Sequence, residues 1–230
     1  MSEPPERRRI VRPPTGGDPA GRGGGATQRL KSAKERTPSS AAWLQRQLND
    51  PFVAAARAKG YRSRAAFKLT DIDDRFHLLR KGVRVIDLGC APGGWLQVAL
   101  ERGAVSVAGV DLLPVDPVPG AFILQGDFTD PSVGPQLLEA LGGPPDLVLS
   151  DMAPNTVGHK QTDHLRIVGL IEAAAEFAIE HLTPGGTFAT KAFQGGETEA
   201  VLARLKEADW AHLQQMPYSA DRRCGDLPTS

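Results

Sequence analysis

The sequence predicts an α/β fold, a mostly parallel, doubly wound sheet of the Rossmann-like type, and three observations carry that expectation. From Val83 onward, short runs rich in β-branched residues alternate with longer runs of helical periodicity. Parallel strands joined by crossover helices and covered on both faces produce this pattern. Aspartates and glycines stand at the ends of successive strand runs, as Asp87 and Gly89, Asp111, Asp127 and Asp151. Finally, 230 residues that are 40% apolar and 23% charged have the balance of an ordinary globular protein. That length holds one such domain and a tail.

Residues 1–38, which include "RRRIVRPPTGGDPAGRGGG", hold few large apolar side chains. They bury too little surface to offset the entropy of ordering, so a disordered basic tail is expected. A basic helical segment follows over 39–80. Ser39 and Ser40 cap its first helix through "AAWLQRQLND", with Trp43 as its anchor on the body. Pro51, pre-set for a first helical turn, opens "PFVAAARAKG", and Gly60 closes it. Ser63 is expected to cap a third helix, "SRAAFKLTDIDDRF".

The sheet elements occupy 81–230. "VRVIDLG" (83–89) is a strand, and "GWLQVALERG" (94–103) a helix that stops at Gly103. "VSVAGVD" (105–111) and "AFILQGD" (121–127) are strands, "PSVGPQLLEALG" (131–142) a helix, and "PDLVLSD" (145–151) a fourth strand. Apolar residues recur at helical spacing through "HLRIVGLIEAAAEFAIEHL" (164–182). "GTFATKAF" supplies a fifth strand and "ETEAVLARLKEAD" (197–209) a last helix. The fifth strand lies in "GGTFATKAFQGG" (185–196) and contains an anomaly. Its other residues suit a buried, pleated surface, yet Lys191 places an ammonium among them, and burying an unpaired charge is costly.

The formal net charge is zero, but residues 1–70 hold 15 Lys and Arg against 5 Asp and Glu, and the other 160 hold 12 against 22. A basic end on an acidic body suits a polyanionic partner; for the tail alone, a solubilising role fits equally well. No apolar run approaches the roughly 20 residues of a membrane span. The N-terminus lacks the apolar core of a secretory signal. Cys90 and Cys224 make no disulfide framework. A cytoplasmic monomer without membrane association is expected.

In doubly wound sheets ligands bind beyond the carboxyl ends of the strands. After the first strand comes "DLGCAPGGW" (87–95), where Gly89, Gly93 and Gly94 let the backbone turn sharply and approach a ligand. Asp111 stands 22 residues beyond Gly89, the usual separation for a carboxylate that accepts hydrogen bonds from a ribose diol. Asp127, in "GDF", is placed to meet an adenine edge. Two ligands compete. A dinucleotide needs G-x-G-x-x-G so that a pyrophosphate can rest on the helix N-terminus, but positions 89, 91 and 94 are Gly, Ala and Gly, with Pro92 stiffening the turn. The acidic Asp87 beside the glycines suits a cationic sulfonium better than an anion, so S-adenosylmethionine is the expected ligand. Any one of these aspartates alone fits a capping or turn role; three at successive strand ends fit a site.

Three stretches should converge on the donor's methyl group. "SRAAFKL" carries Lys68, "LVLSDMAPN" carries Asp151 at the fourth strand tip with Pro154 turning the loop away, and "ATKAF" carries Lys191. A ribose hydroxyl must be aligned with the methyl group and lose its proton to attack it. A lysine accepts that proton only when desolvation or a neighbouring cation makes it give up its own, and Lys68 is such a cation. Asp151 would orient both lysines. Taken singly, Lys191 also fits an edge lysine reaching to solvent, and Lys68 an amphipathic helix.

In order and spacing, "SRAAFKL", "DLGCAPGGW", "DLLPVDP", "LQGDF", "SDMAPN" and "KAFQGG" resemble the FtsJ-type ribose 2′-O-methyltransferases over about residues 39–196. The resemblance implies an S-adenosylmethionine-dependent methyltransferase fold and 2′-O-methylation of a uridine in the A-loop of 23S rRNA, within the large ribosomal subunit. It makes 81–230 the donor-binding catalytic domain and 39–80 an RNA-binding segment. It assigns Lys68, Asp151 and Lys191 to the family's catalytic Lys-Asp-Lys-Glu set, with Lys191 as base. The donor contacts it implies are Gly93, Trp95, Asp111, Asp127 and Asp151, alongside Gly89; Trp95 also suits ordinary core packing. Arg57, Lys59, Arg62 and Arg64, with Arg46, then become candidates for phosphates flanking the target. Single-stranded loop bases would be read by shape and stacking, and the 2′-hydroxyl marks RNA.

The pattern departs from the family at its end, over about 211–230. Where a glutamate in a final strand is expected, the chain reads "HLQQMPYSADRRCGDLPTS". Asp226 stands near that place with a shorter side chain, and Glu197 and Glu199 come too early. A one-nucleotide frameshift across "GDLPT" admits Glu-Ile-Tyr-Leu, a strand of the kind expected. Without it, a C-terminal strand is missing, a sheet edge is exposed, and reduced stability and activity follow. His159 and His164 show no metal-ligand spacing, and Cys90 fills space beneath the glycine loop. Three alternatives stay open. They are an RNA- or subunit-binding protein that retains the pocket but methylates poorly, an enzyme acting on tRNA or an mRNA cap, and an NAD-dependent oxidoreductase, which Ala91-Pro92 disfavours.

Overall fold

The computed structural model of the protein describes residues 50–152 and 160–191, excepting the side chains of 160–164. The expected tail, Trp43, Arg46, Pro154, His159, the side chain of His164, the helix over 197–209, Glu197, Glu199, Cys224 and Asp226 lie outside the described residues. Two short helices open the described chain, α1 (Pro51–Ala58) and α2 (Ala65–Phe76). There follow β1 (Arg84–Leu88), α3 (Gly94–Glu101), β2 (Ser106–Asp111), β3 (Ala121–Gln125) and α4 (Val133–Leu141). Then come β4 (Leu147–Ser150), α5 (Lys160–His181) and β5 (Thr187–Thr190). The strands line up as β3-β2-β1-β4-β5, and every pairing is parallel.

The period-2 pleat sorts the strand residues onto two buried faces. Val85, Val107, Leu147 and Leu149 share one core cluster with Ala66 and Leu69 of α2 and with Leu96, Val98 and Ala99 of α3. Ile86, Leu88, Ala108, Val110 and Val148 share the other with Leu137 and Leu141 of α4 and with Ala174, Phe177 and Ala178 of α5. The sheet is thus doubly wound, and each fully buried aliphatic side chain contributes about 1.5–3 kcal/mol. The helical segment ahead of the sheet is built into the same core as the strands, through Ala66, Leu69 and Leu79.

Local chemistry explains the helix entries, with one exception. Asp50 accepts the Phe52 N–H at 2.8 Å and caps α1 ahead of Pro51. Ser63 does not cap α2: the helix starts after Arg64 without a side-chain cap. The Ser63 hydroxyl instead packs on Gly94, 2.7 Å from where a Cβ would stand. Packing of the α2 entrance on the glycine loop overrides the local capping preference. The fifth strand also differs from expectation, since β5 is half-buried along its whole length rather than fully buried. It is the outer strand of the described sheet, so one of its edges has no described neighbour.

At the centre, β1 takes β2 on one side and β4 on the other. The chain leaves β1 toward one flank and returns to the opposite one, the arrangement that opens a crevice at the carboxyl ends of the middle strands.

Candidate active site

Beyond β1 the chain folds tightly over the sheet. Gly89 and Cys90 both donate to the Val110 carbonyl, at 2.9 and 3.2 Å, which ties the loop to β2. Gly89 has φ +79°, and the Met152 side chain fills the space a Cβ would need, so only glycine fits. The Ala91-Pro92 peptide is cis. Gly93, at φ +103°, caps α3. Cys90 is buried, as expected of a space-filling residue, and its thiol is pushed up to about 12 by burial first, then by the Asp87 and Asp111 carboxylates.

The aspartates at the strand ends take different partners. Asp111 accepts the Ala91 N–H on Oδ2 and the Leu113 N–H on Oδ1, each at 2.8 Å, so it pins the loops on either side of it. Asp127 accepts the N–H and hydroxyl of Thr129 at 3.0 and 2.7 Å, an Asx-type turn. Asp87 is 2% exposed on the α2–α3 side of the sheet, and its Oδ2 has no hydrogen-bond partner among the described residues. Burial raises its carboxyl well above the usual carboxylate range, and the Asp151 and Asp111 carboxylates add to the rise.

Across the crevice, Asp151 follows β4 and gathers two ammoniums. Lys68 Nζ, from α2, donates to Oδ2 at 3.0 Å. Lys191 Nζ lies 2.5 Å from Oδ1, a charge contact without hydrogen-bond alignment, and donates to the Asp151 carbonyl at 3.5 Å. The Lys191 N–H continues the β5 ladder onto Ser150, which fixes where its side chain starts. All three side chains are mostly covered, at 24%, 15% and 21% exposure for Lys68, Asp151 and Lys191, so the anomalous strand lysine is paired and not fully buried.

Between these groups lies a cleft lined by Ser63, Ala65, Gly89, Gly94 and Trp95, with Asp87 and Asp151 as its charged members. Among the described residues no basic side chain lines it, although Lys68 and Lys191 hold Asp151. Asp87 Oδ2 and Asp151 Oδ1 both lack an aligned hydrogen-bond partner among the described residues, and acceptors of this kind suit a cationic group better than a pyrophosphate. The cleft therefore fits a sulfonium methyl donor and does not fit a dinucleotide. Trp95 is 6% exposed, donates its indole N–H to the Ala65 carbonyl at 2.8 Å and belongs to the core cluster, so it serves packing and the cleft wall together.

The basic candidates sit on the same side as α1. Arg57 and Lys59 are exposed, with the Lys59 ammonium 5.4 Å from the Phe67 ring centre. Arg64 pairs with Asp50. Arg57, Arg62 and Arg64 line a second hollow with Val53, Ala56 and Tyr61. Arg62 differs from the others, because its guanidinium donates to the carbonyls of Pro92, Asp116 and Pro117. Gln97, which the sequence did not single out, accepts the Arg62 N–H and donates to the Gly60 carbonyl, each at 2.9 Å. Asp73, also unforeseen, is 4% exposed, accepts the Leu79 N–H at 2.7 Å and pairs with Arg102 at 3.1 Å. Apart from the Asp73–Leu79 bond, the Gln97 and Asp73 ties join residues about 30 or more positions apart, so no local pattern announces them. No helix among the described residues is long and apolar enough to cross a membrane.

Comparison with known proteins places the chain in a family. A protein from Caulobacter sp. (strain K31) described as ribosomal RNA large subunit methyltransferase E is 67% identical over 198 residues, covering 86% of this chain and 87% of that protein. One of the same description from Acidiphilium cryptum is 61% identical, covering 86% of this chain and 88% of that one. A crystal structure described as a ribosomal RNA methyltransferase from Plasmodium falciparum superposes with a TM-score of 0.60 at 33% identity, over 64% of this chain and 86% of that one. The family model of the FtsJ-like methyltransferases matches residues 61–225, and with these relatives it establishes that the chain belongs to the FtsJ-like methyltransferase family.

Proposed function

We propose that the chain transfers a methyl group from S-adenosylmethionine to the ribose 2′-hydroxyl of a uridine in 23S rRNA, in the A-loop of the large ribosomal subunit. The observation that carries this reading is the pair of ammoniums, Lys68 and Lys191, on the single carboxylate of Asp151, which itself lines the cleft. Family membership and the names of the close relatives support the substrate class.

The donor supplies an electrophilic methyl group on a positively charged sulfur. Asp87 and Asp111, with the backbone around Gly89, Gly93 and Gly94, hold and orient it, Asp127 reaches its base end, and Trp95 closes the wall. Lys191 accepts the proton of the 2′-hydroxyl once it has lost its own. Lys68 shares the same carboxylate, and Asp151 keeps both amines aimed at one point. Arg57, Lys59 and Arg64, on the exposed face beside α1, meet flanking phosphates. In this scheme residues 39–80 bind RNA and 81–230 hold the donor and perform the transfer, as a monomer.

The test is transfer of tritiated methyl to large subunits from a strain lacking the modification. Wild-type protein should label 23S rRNA, and Lys191→Ala should lower the rate by about 10²–10⁴, the range of a positioned acid–base group. Label that survives Lys191→Ala at full rate removes Lys191 as base; no label with the wild type favours an RNA-binding protein that keeps only the pocket.

A further inference from the structure

We propose that Arg62 is a positioning residue for the methyl donor: its guanidinium fixes the two loops that flank the donor cleft, and its loss weakens donor binding before it weakens RNA binding. The inference rests on the cleft being the methyl-donor site. Arg62 Nη1 donates to the carbonyls of Asp116 at 2.5 Å and Pro92 at 3.3 Å, while Nη2 donates to the Pro117 carbonyl at 2.6 Å. Pro92 belongs to the glycine loop, and Asp116 and Pro117 to the loop that follows Asp111. The second loop carries prolines at 114, 117 and 119, which have no N–H to donate, so it lacks the means to build a ladder of its own. Donors from outside hold it: Gln125 Nε2 donates to the Leu112 carbonyl at 3.1 Å at its start, and the planar fork of Arg62 reaches Asp116 and Pro117 together with Pro92 of the other loop.

The surroundings are shaped to this side chain. A Cβ on Gly93 would stand 2.9 Å from Val118 Cγ2, 3.1 Å from Arg62 Nη1 and 3.3 Å from its Cδ, so Val118 and the arginine together occupy the space that the glycine leaves. The Arg62 main chain is tied to α3 through Gln97. In the same two loops, Asp111 holds the amides of Ala91 and Leu113. Asp111 thus grips the loops by their N–H groups and Arg62 by their carbonyls, and neither loop is left to be ordered when the donor arrives. Pre-ordering of this kind removes an entropic cost from binding. With three carbonyls already on it, the guanidinium is committed to the protein, whereas Arg57 and Arg64 are exposed.

The experiment titrates S-adenosylmethionine by calorimetry into the full chain without RNA, and separately measures RNA affinity over a range of salt, for wild type, Arg62→Ala, Arg62→Lys and Arg64→Ala. Arg62→Ala is expected to raise the donor Kd about ten- to a hundredfold and to speed hydrogen exchange at the Ala91 and Leu113 amides. Arg62→Lys should recover little of that loss, since one ammonium cannot span acceptors served by two nitrogens. Arg64→Ala should leave the donor Kd within about twofold. If Arg62→Ala does not fold, Arg62→Lys carries the same test. A wild-type donor Kd in the Arg62 variants, with RNA affinity lost in Arg62→Ala and restored by lysine, overturns the brace and makes Arg62 an RNA contact. A wild-type chain that binds no S-adenosylmethionine overturns the reading of the cleft, and the brace with it.

Discussion

On the β4–β5 side of the crevice, Asp151 meets two lysine ammoniums. On the β1–β2 side, Asp111 meets only backbone amides and Asp87 leaves one oxygen without a partner, and neither makes an ion pair among the described residues. The same residue type therefore does two things across one crevice. Matched with two cations, a carboxylate sets the position and charge balance of groups that exchange protons. Left buried without a cation, it keeps an unmet electrostatic demand that a positively charged ligand can satisfy. Rate should accordingly depend on one side and affinity on the other.

The largest effect expected from that division is on rate. Lys68→Met removes one of the two ammoniums and should lower the rate of methyl transfer at saturating donor by about a hundredfold. The donor Kd should stay within a few-fold, read by single-turnover kinetics beside calorimetry. A fall in affinity equal to the fall in rate would break the division between the two sides.

A smaller effect, on stability, belongs to Asp87. Burial raises its carboxyl, so the folded chain keeps a proton that the unfolded chain releases near the ordinary carboxylate value of about 4. The folded state then binds more protons than the unfolded one, and stability falls as pH rises from there toward the folded value. Asp87→Asn should flatten this slope and stabilise the ligand-free protein near neutral pH by about 0.5–2 kcal/mol, while weakening donor binding. Denaturant melts across that pH window, with and without donor, check both signs. An unchanged slope would mean that Asp87 is not held protonated.

The smallest effect concerns Cys90, whose thiol at about 12 leaves almost no thiolate at neutral pH. Alkylation of the folded chain should be slow at Cys90, by roughly 10³ relative to the denatured chain, as read by peptide mass spectrometry. Rapid native labelling would show that the glycine loop opens and that the β1–β2 side is less fixed than its hydrogen bonds imply.

Much of this was legible in the sequence because the signals were local. Alternation of strands and helices, Pro51 at a helix start and glycines at loop turns depend on neighbours within a few residues, and the five strands fell within the expected runs. Lys68, Asp151 and Lys191 were legible as a set through family spacing, and the structure brings all three side chains together. Ser63 was misread because its surroundings are set by Gly94, a residue far along the chain. Arg62 was legible only as a candidate phosphate contact, because the carbonyls it meets lie 30 to 55 residues away. The partial burial of β5 depends on which strand stands at the sheet edge, and no window of sequence contains that information.

The strand order has a consequence for the newly synthesised protein. Among the described residues, the Arg62, Gln97 and Asp111 ties to the donor loops join residues between Gly60 and Pro117, and Gln125 adds one to the Leu112 carbonyl, whereas the transfer side needs Asp151 and Lys191. Chains emerge and fold N-terminus first. A nascent chain therefore has the ties that join its glycine loop to the loop after Asp111 well before its base has been translated, so the donor side of the crevice can begin to order ahead of the transfer side.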